Sequence, residues 1–246
     1  MPEEGIPRLE LEPIPPLTKS GKDDSVLADP RIHSQKQEGL YYVEYKPLGG
    51  VPDIQVFRQL LGEASQMEGA QLRLNADETC YIINLTAEEA RQVAVLTEKD
   101  TAHTLFEHSV SCIGAAVCQQ GLCDSHGTLA RIASFLKERA WIPGICQMPL
   151  LRLPSTCTVQ SLAALGFRGA FTLVNGERAS AFQVYAGGSY AYGKEKISEP
   201  LGLIATARLP QFFLDLNQTL LEAGQPFTQW YPDHEEAFLE LLKKYA

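Results

Sequence analysis

The order of strand-like and helix-like segments in the first part of the chain constrains its fold most. A β-rich run, LYYVEYK (40–46), is followed by an amphipathic stretch that Asp53 can cap as a helix. Two further strand-like runs come next, AQLRLN (70–75) and TCYIINL (79–85), separated by polar residues. The sequence therefore predicts a strand, a helix and two more strands.

A helix start completes this pattern. Thr86 and Glu89 have the spacing of a capping box, which predicts a helix running to about Glu98. The order β-α-β-β-α predicts a small open sheet with helices on one face, a ferredoxin-like half domain over residues 38–100.

The segment before this unit has a different composition. Residues 1–37 contain six of the chain's 15 prolines and the polar stretch TKSGKDDS. Proline removes backbone donors and fixes φ, so we expect an extended or disordered arm here, with order beginning near Leu40. Such an arm either wraps a partner subunit or is a loose terminus.

Residues 101–246 predict a second unit. A helix that follows the cysteine-rich segment has apolar residues at core spacing, and Asn175–Gly176 marks a β-hairpin. The other expected elements are a buried strand at 147–153, a short helix within 155–166 closed by Gly166, a glycine loop at 186–193, a helix at about 209–223 stopped by Gly224, and a helix at about 234–245 capped by Asp233.

Charge and composition exclude several classes of function. The chain has 21 Lys and Arg against 30 Asp and Glu, a net charge of -9, and no basic stripe interleaved with aromatic residues, so nucleic-acid binding is not expected. No apolar run is long enough to cross a bilayer, and Met1–Lys22 lacks the apolar centre of a signal peptide. We therefore expect a cytoplasmic protein, whose six cysteines are thiols, metal ligands or redox groups.

Three of these cysteines lie close together. The segment SCIGAAVCQQGLCDSHGTL (111–129) contains Cys112, Cys118 and Cys123 just before a predicted helix. They are either buried small hydrophobic residues, ligands of an iron–sulfur cluster, or, with His108 or His126, ligands of zinc. The spacing matches no common zinc pattern.

The cysteine spacing resembles that of the nitrite/sulfite reductase family. The family signature is C-x5-C followed, after a long gap, by G-C-P-N-S-C; SCIGAAVC looks like its first half and RLPSTC (152–157) like its second. In that family four cysteines hold a 4Fe–4S cluster, and the last also bridges to the iron of siroheme. The resemblance implies that Cys112 and Cys118 are cluster ligands and that Cys157 is the bridge.

Other stretches carry the same resemblance. The run from LYYVEYKPLGG to RQLLGEASQ is similar to the opening of the family's half domain, and LAALGFRGAF followed by FQVYAGGS is similar to the stretch after its cluster cysteines. The resemblance extends from about residue 38 to residue 246. It implies an α+β fold in which the ferredoxin-like half domain is followed by an α/β core of the siroheme/4Fe–4S type.

The chain also departs from the family pattern. Leu153 stands where the third cysteine is expected, so the fourth ligand would be Cys123, Cys146 or His126, or one iron would stay open. Arg73 matches an arginine that contacts a siroheme carboxylate, but Asp77 stands where the family's anion-binding arginine is expected. A carboxylate there repels an anionic substrate. The lysine pair that the family uses at the bound anion has no match.

Further residues are candidates for binding the carboxylates of a tetrapyrrole. Gly187 and Gly188 form either a backbone cradle for these groups or a tight turn. Arg73 and Arg168 can pair with carboxylates through their planar guanidinium groups.

The resemblance implies an oxidoreductase that passes electrons from an external donor through a 4Fe–4S cluster to siroheme, for the reduction of a small ligand. The alternative is a catalytically degenerate subunit or binding module that holds a tetrapyrrole, a cluster or a partner protein. Complete assimilatory enzymes of the family contain two copies of this unit and the present sequence contains one, so we expect a homodimer or a second reductase-like subunit.

Overall fold

A computed structural model describes residues 17–139, 151–153 and 160–246 of the chain. The strands are β1 (Ile32–Ser34), β2 (Tyr41–Tyr45), β3 (Gln71–Leu74), β4 (Cys80–Leu85), β5 (Val110–Ser111), β6 (Leu151–Leu153), β7 (Leu165–Val174), β8 (Glu177–Ala186) and β9 (Pro200–Ala205). The helices are α1 (Ile54–Ala64), α2 (Ala87–Thr97), α3 (Ser125–Lys137), α4 (Leu209–Ala223), α5 (Phe227–Trp230) and α6 (Glu235–Lys243).

The first sheet is antiparallel, with the strand order β1-β2-β4-β3. Alternate residues of β2 face the helices, so Tyr41, Val43 and Tyr45 are buried in one core with Leu60 of α1 and Ile82 of β4. The predicted β-α-β-β-α order is confirmed. The opposite face of β2 carries polar side chains, and this leaves it available for a site.

Both predicted helix starts are present. The Asp53 carboxylate accepts hydrogen bonds from the backbone N–H groups of Gln55 and Val56, at 2.8 and 3.3 Å. Thr86 and Glu89 make both bonds of the capping box, at 3.3 and 2.7 Å. Each cap of this kind stabilises a helix by about 1 kcal/mol.

The expectation of an extended arm is wrong for the described part of residues 1–37. A 3-10 turn covers Asp24–Ala28, and β1 pairs with β2 as an edge strand. Val26 and Ile32 are buried in the core of the first sheet. Burial of these apolar side chains stabilises a segment whose prolines and charges had indicated no ordered structure. Residues 1–16 lie outside the described residues.

The second sheet has the strand order β5-β6-β7-β8-β9. The strands β5, β6 and β7 are parallel to one another, whereas β7, β8 and β9 are antiparallel. The turn between β7 and β8 has positive φ at Asn175 (54°) and Gly176 (82°), as the predicted hairpin requires. Phe167, Phe212 and Phe213 pack edge-on or tilted in the core between this sheet and α4.

Some details of this unit differ from expectation. Gly166 belongs to β7, where it pairs with Tyr185, and does not close a helix. The residue before α6 is His234 rather than Asp233, and it makes no side-chain cap, while β9 and α5 were not expected at all. Gly224 ends α4 in the left-handed region (φ 62°), as predicted.

Within residues 17–139, 151–153 and 160–246, no helix combines the length and the apolar character needed to cross a membrane.

Candidate functional site

A buried lysine lies where the two sheets meet. Lys46 directly follows β2. Its side chain is on the face of the sheet that does not pack against the helices, yet it is only 3% exposed. Its ammonium donates to the backbone carbonyl of Asp77 and lies 3.5 Å from Oε2 of Glu78. Burial lowers the pKa of Lys46, and the neighbouring carboxylates only partly offset that effect.

The backbone of Lys46 is held by the start of the second unit. Its N–H donates to Thr101 Oγ1 at 3.2 Å, and its carbonyl accepts from the Ala102 N–H at 2.7 Å. Both the backbone and the ammonium of Lys46 are therefore held by hydrogen bonds, and this keeps the charge at a fixed position.

Glu78 is the acidic partner, in the turn between β3 and β4. Its two carboxylate oxygens each lie 3.2 Å from the N–H of Ser111, which donates to them. Burial raises the pKa of Glu78, with Lys46 opposing the shift. The carboxylate thus connects the first sheet to β5, one residue before Cys112.

Lys46 borders a cavity of about 320 Å³. Lys46, Asp77, His108 and Tyr190 line it, together with Glu44, Asn75, Ala76 and Thr79. Nδ1 of His108 is 2.8 Å from the Thr104 carbonyl oxygen, and Nε2 lies 3.9 Å from Oε1 of Glu44. The lining therefore combines a buried cation and an imidazole, which attract an anion, with the carboxylates of Glu44 and Asp77, which oppose it.

Asp77 borders this cavity, but its side chain has a local role. Oδ1 accepts from the N–H of Thr79 at 3.1 Å, so the carboxylate caps its own turn. Asp77 is expected to repel an anion. The ammonium of Lys46, which was not predicted from the sequence as a site residue, opposes that repulsion.

Arg73 does not line the cavity. It is exposed on β3, and Nη2 donates to Oε1 of Gln71 at 2.6 Å. Arg168 is also exposed, on β7 opposite Gln183. Their roles with tetrapyrrole carboxylates stay predictions.

Gly187 and Gly188 directly follow β8, and Gly187 lies in a bend of the chain. The N–H of Gly187 donates to the Ala164 carbonyl at 2.9 Å, so it is already used within the chain. A Cβ on Gly188 would lie 2.5 Å from the Ala163 oxygen and 2.6 Å from that of Ser161. Close packing explains the glycine at position 188, and the cradle role of the two residues stays a prediction.

Cys112 and Cys118 lie on the loop between β5 and α3, and both are partly exposed. The loop is compact: Gly114 has φ 68°, and its carbonyl accepts from the N–H groups of Val117 and Cys118 at 3.2 and 2.9 Å. Sγ of Cys112 is 3.6 Å from Oγ of Ser125 at the start of α3. Thiols on such a loop are accessible to a metal centre.

Cys123 has a different environment. It is buried, and its thiol lies 3.4 and 3.3 Å from the carbonyl oxygens of Ala170 and Ala181 and 3.3 Å from Oγ of Ser180. This is the setting of a core thiol, so the structure argues against Cys123 as the fourth ligand. Cys146 and the predicted bridge Cys157 lie outside the described residues.

The two halves of the cysteine pattern leave the second sheet at the same end. Ser111 of β5 pairs with Leu153 of β6, and the two strands are parallel. The chain that continues to Cys112 therefore starts beside the chain that continues into PSTC. Among the described residues, no three His, Cys, Asp or Glu side chains are arranged to hold a metal ion.

Comparison of the sequence with known proteins finds three ferredoxin–nitrite reductases among its relatives. The ferredoxin–nitrite reductase of Zea mays is 26% identical over 167 residues, which are 64% of this chain and 29% of that enzyme. The corresponding enzyme of Oryza sativa is 26% identical over 187 residues, and that of Synechococcus elongatus is 22% identical over 198 residues. The chain therefore resembles these nitrite reductases in sequence, at 22–26% identity over 64–78% of its length.

Solved structures show the fold of the family. The Mycobacterium tuberculosis NirA protein superimposes with a TM-score of 0.67 at 14% identity, covering 85% of this chain and 40% of that one. A dissimilatory sulfite reductase I superimposes with a TM-score of 0.58 at 6% identity, and the match covers 82% of this chain and 68% of that one. No family model matches the sequence. The chain spans about a third of the length of the curated reductases it matches.

The residues present fit the cofactors of this reductase family in part. Thiolates are the ligands of iron–sulfur clusters, and Cys112 and Cys118 offer two of them on one loop. A four-ligand cluster therefore depends on Cys157 and on one further group. For a tetrapyrrole, the exposed guanidinium groups of Arg73 and Arg168 are suitable partners for carboxylates.

The sequence reading missed Lys46 and Glu78. A signal for Lys46 existed, because the alternation in YYVEYK places it on the face of β2 that does not pack against helices. Glu78 had no comparable signal, since a polar turn between two strands is normally solvated.

Proposed function

We propose that the chain carries the redox centre of a nitrite/sulfite reductase-type enzyme. Electrons from an external donor would pass through a 4Fe–4S cluster to siroheme, and the substrate would be a small oxyanion. Cys112 and Cys118 would ligate the cluster, with Cys157 as the bridging ligand. Arg73 and Arg168 would pair with siroheme carboxylates.

The observation that supports this proposal best is the parallel pairing of β5 with β6. It brings the start of the Cys112 segment beside the start of the segment that contains Cys157. The same end of β5 is bonded to Glu78, which faces Lys46. A thiol segment and a substrate-binding cation at one junction suit a centre that reduces an anion.

Lys46 would neutralise the bound anion. Its ammonium is buried and held in place by the Asp77 carbonyl and by Glu78, so it is preorganised for an anion, while the Glu78 carboxylate offsets part of its charge. When bound, siroheme and the cluster would supply the iron and the electrons.

Protons are needed as well, because the oxygen atoms of an oxyanion leave as water when it is reduced. Lys46 and His108 line the cavity and are its candidate donors. Lys46 suits this task because burial lowers its pKa, which makes the ammonium a stronger acid. Tyr190, on the loop after β8, lines the same cavity.

The first test is the absorption spectrum of anaerobically purified protein, combined with iron and acid-labile sulfide analysis. The proposal expects the visible bands of siroheme together with cluster iron and sulfide. A colourless protein without iron, prepared from cells that make siroheme, would instead indicate the degenerate binding module.

The second test assigns the ligands. Cys112→Ser, Cys118→Ser and Cys157→Ser are each expected to lose most of the bound iron. Cys123→Ser is the matched control on the same loop, and it should retain the iron because its thiol faces carbonyl oxygens in the core. Retention of all iron by Cys157→Ser would refute the assignment.

A further inference from the structure

Glu78 has a backbone conformation that its residue type does not favour. Its φ is 68°, in the left-handed region where a Cβ crowds the following carbonyl. Residues held in such conformations cluster at functional sites, where surrounding contacts maintain them. The contacts of Glu78 therefore indicate what its conformation is used for.

The neighbouring turn leaves space for this side chain. Gly50 also has positive φ (71°), and a Cβ added to it would lie 2.7 Å from Cβ of Glu78 and 3.1 Å from its Cγ. A residue other than glycine at position 50 would displace Glu78. The absence of a side chain at Gly50 is therefore what allows Glu78 to occupy its observed position.

Glu78 contacts two elements that the proposed function needs. Its carboxylate lies 3.5 Å from the ammonium of Lys46. It also accepts from the N–H of Ser111, which belongs to β5, the edge strand of the second sheet. An N–H at a sheet edge has no strand partner on its outer side, so Glu78 takes the place of one.

We propose that Glu78 is a positioning residue that fixes the Lys46 ammonium at the cavity and, through Ser111, fixes the start of the loop carrying Cys112. The proposal rests on the proposed function, because it takes Lys46 as the substrate cation and Cys112 as a cluster ligand. It adds that one carboxylate sets the distance between the two. Asp77, the adjacent acid, cannot do this because its side chain caps its own turn.

The test compares variants of Glu78 in metal-free protein. In Glu78→Ala we expect hydrogen exchange of the Ser111 amide and alkylation of Cys112 each to accelerate about tenfold, the equivalent of one hydrogen bond to a charged group. Cys118 is the internal reference and should be alkylated at the wild-type rate. Glu78→Gln retains a carbonyl acceptor for Ser111, so it should restore most of the protection there.

Acetylation of Lys46 separates the two contacts of Glu78. Both Glu78→Ala and Glu78→Gln remove the charge beside the ammonium, so acetic anhydride should modify Lys46 about tenfold faster in both. Rescue at Ser111 without rescue at Lys46 is the result that a merely structural side chain would not give.

A pair of glycine variants provides the matched control. Gly50→Ala should reproduce the faster exchange at Ser111, because its methyl group displaces Glu78. Gly176→Ala places an alanine at a comparable φ (82°) with no heavy atom within 4 Å of its Cβ, so Ser111 exchange should be unchanged. Equal effects of the two variants would show that backbone strain alone loosens β5.

The inference is overturned if Ser111 exchanges freely in the wild type, or if Glu78→Ala leaves both Ser111 and Cys112 at wild-type rates. The proposed function fails separately, when wild-type protein binds no iron. In iron-loaded protein, Glu78→Ala should also change the electron paramagnetic resonance signal of the reduced centre, whereas Gly176→Ala should not.

Discussion

Two lysine–glutamate pairs flank the same short strand, and they differ in which partner is buried. In Lys137–Glu107 the carboxylate is 7% exposed and the lysine 60% exposed, with Nζ 2.6 Å from Oε1. In Lys46–Glu78 the lysine is 3% exposed and the carboxylate 21% exposed, at 3.5 Å. Glu107 lies before β5, and Glu78 binds its end.

The hydrogen bonds explain why the pairs behave differently. Glu107 accepts from the N–H groups of His103 and Thr104 and from the Thr104 hydroxyl. Burial acts to raise its pKa, but these bonds and Lys137 together lower it. Glu78 and Lys46 are shifted towards their neutral forms instead, by burial. Glu107 is satisfied as a structural anion, whereas the buried Lys46 has one carboxylate partner at 3.5 Å and borders the cavity.

The largest expected effect comes from removing the cation at the cavity. Lys46→Met keeps the apolar stem but deletes the charge, so turnover of nitrite or sulfite by the iron-loaded protein should fall about 100-fold. Lys137→Met is the matched control, and its turnover should equal that of the wild type. Steady-state assays with a reduced donor measure both. Wild-type turnover in Lys46→Met would remove the distinction between the two pairs.

The next effect concerns stability and its pH dependence. Glu107→Gln should lower the free energy of unfolding at neutral pH by about 1–3 kcal/mol, since it removes a buried, hydrogen-bonded charge. Because the pKa of Glu107 is lower in the folded than in the unfolded protein, its contribution is complete above the unfolded pKa and is lost as pH falls through the folded one. The difference between variant and wild type should therefore shrink below the ordinary glutamate pKa.

Urea denaturation over a range of pH measures this difference. Glu138→Gln is the control, because Glu138 is 71% exposed beside Arg139 and its replacement should change stability by less than about 0.5 kcal/mol. A deficit in Glu107→Gln that stays constant down to strongly acidic pH would contradict the assignment of Glu107 as a structural anion.

The same contrast shows what the sequence can predict. Asp53, Thr86 and Glu89 act through neighbours two or three residues away, so their caps follow from spacing alone. The hairpin at Asn175–Gly176 is equally local. The family resemblance extended this reading to the fold as a whole, which the superposition on known reductases confirms.

The site is harder to predict because its contacts are distant in sequence. Lys46 meets Glu78 across 32 positions, and Glu78 meets Ser111 across 33. The environment of Cys123 is hard to predict for a related reason. Its sequence distance from Cys118 says nothing of the β7 and β8 carbonyls that its thiol contacts.

The smallest expected effect is on the exposed partner of the structural pair. Lys137→Met should lower the free energy of unfolding by less than about 1 kcal/mol, because Lys137 is mostly solvated and Glu107 keeps its three other hydrogen bonds. The loss should diminish as salt is raised, since an exposed charge is screened. Urea denaturation at low and high ionic strength measures it. A loss as large as that of Glu107→Gln would mean that the ion pair, rather than the backbone N–H groups, holds the carboxylate.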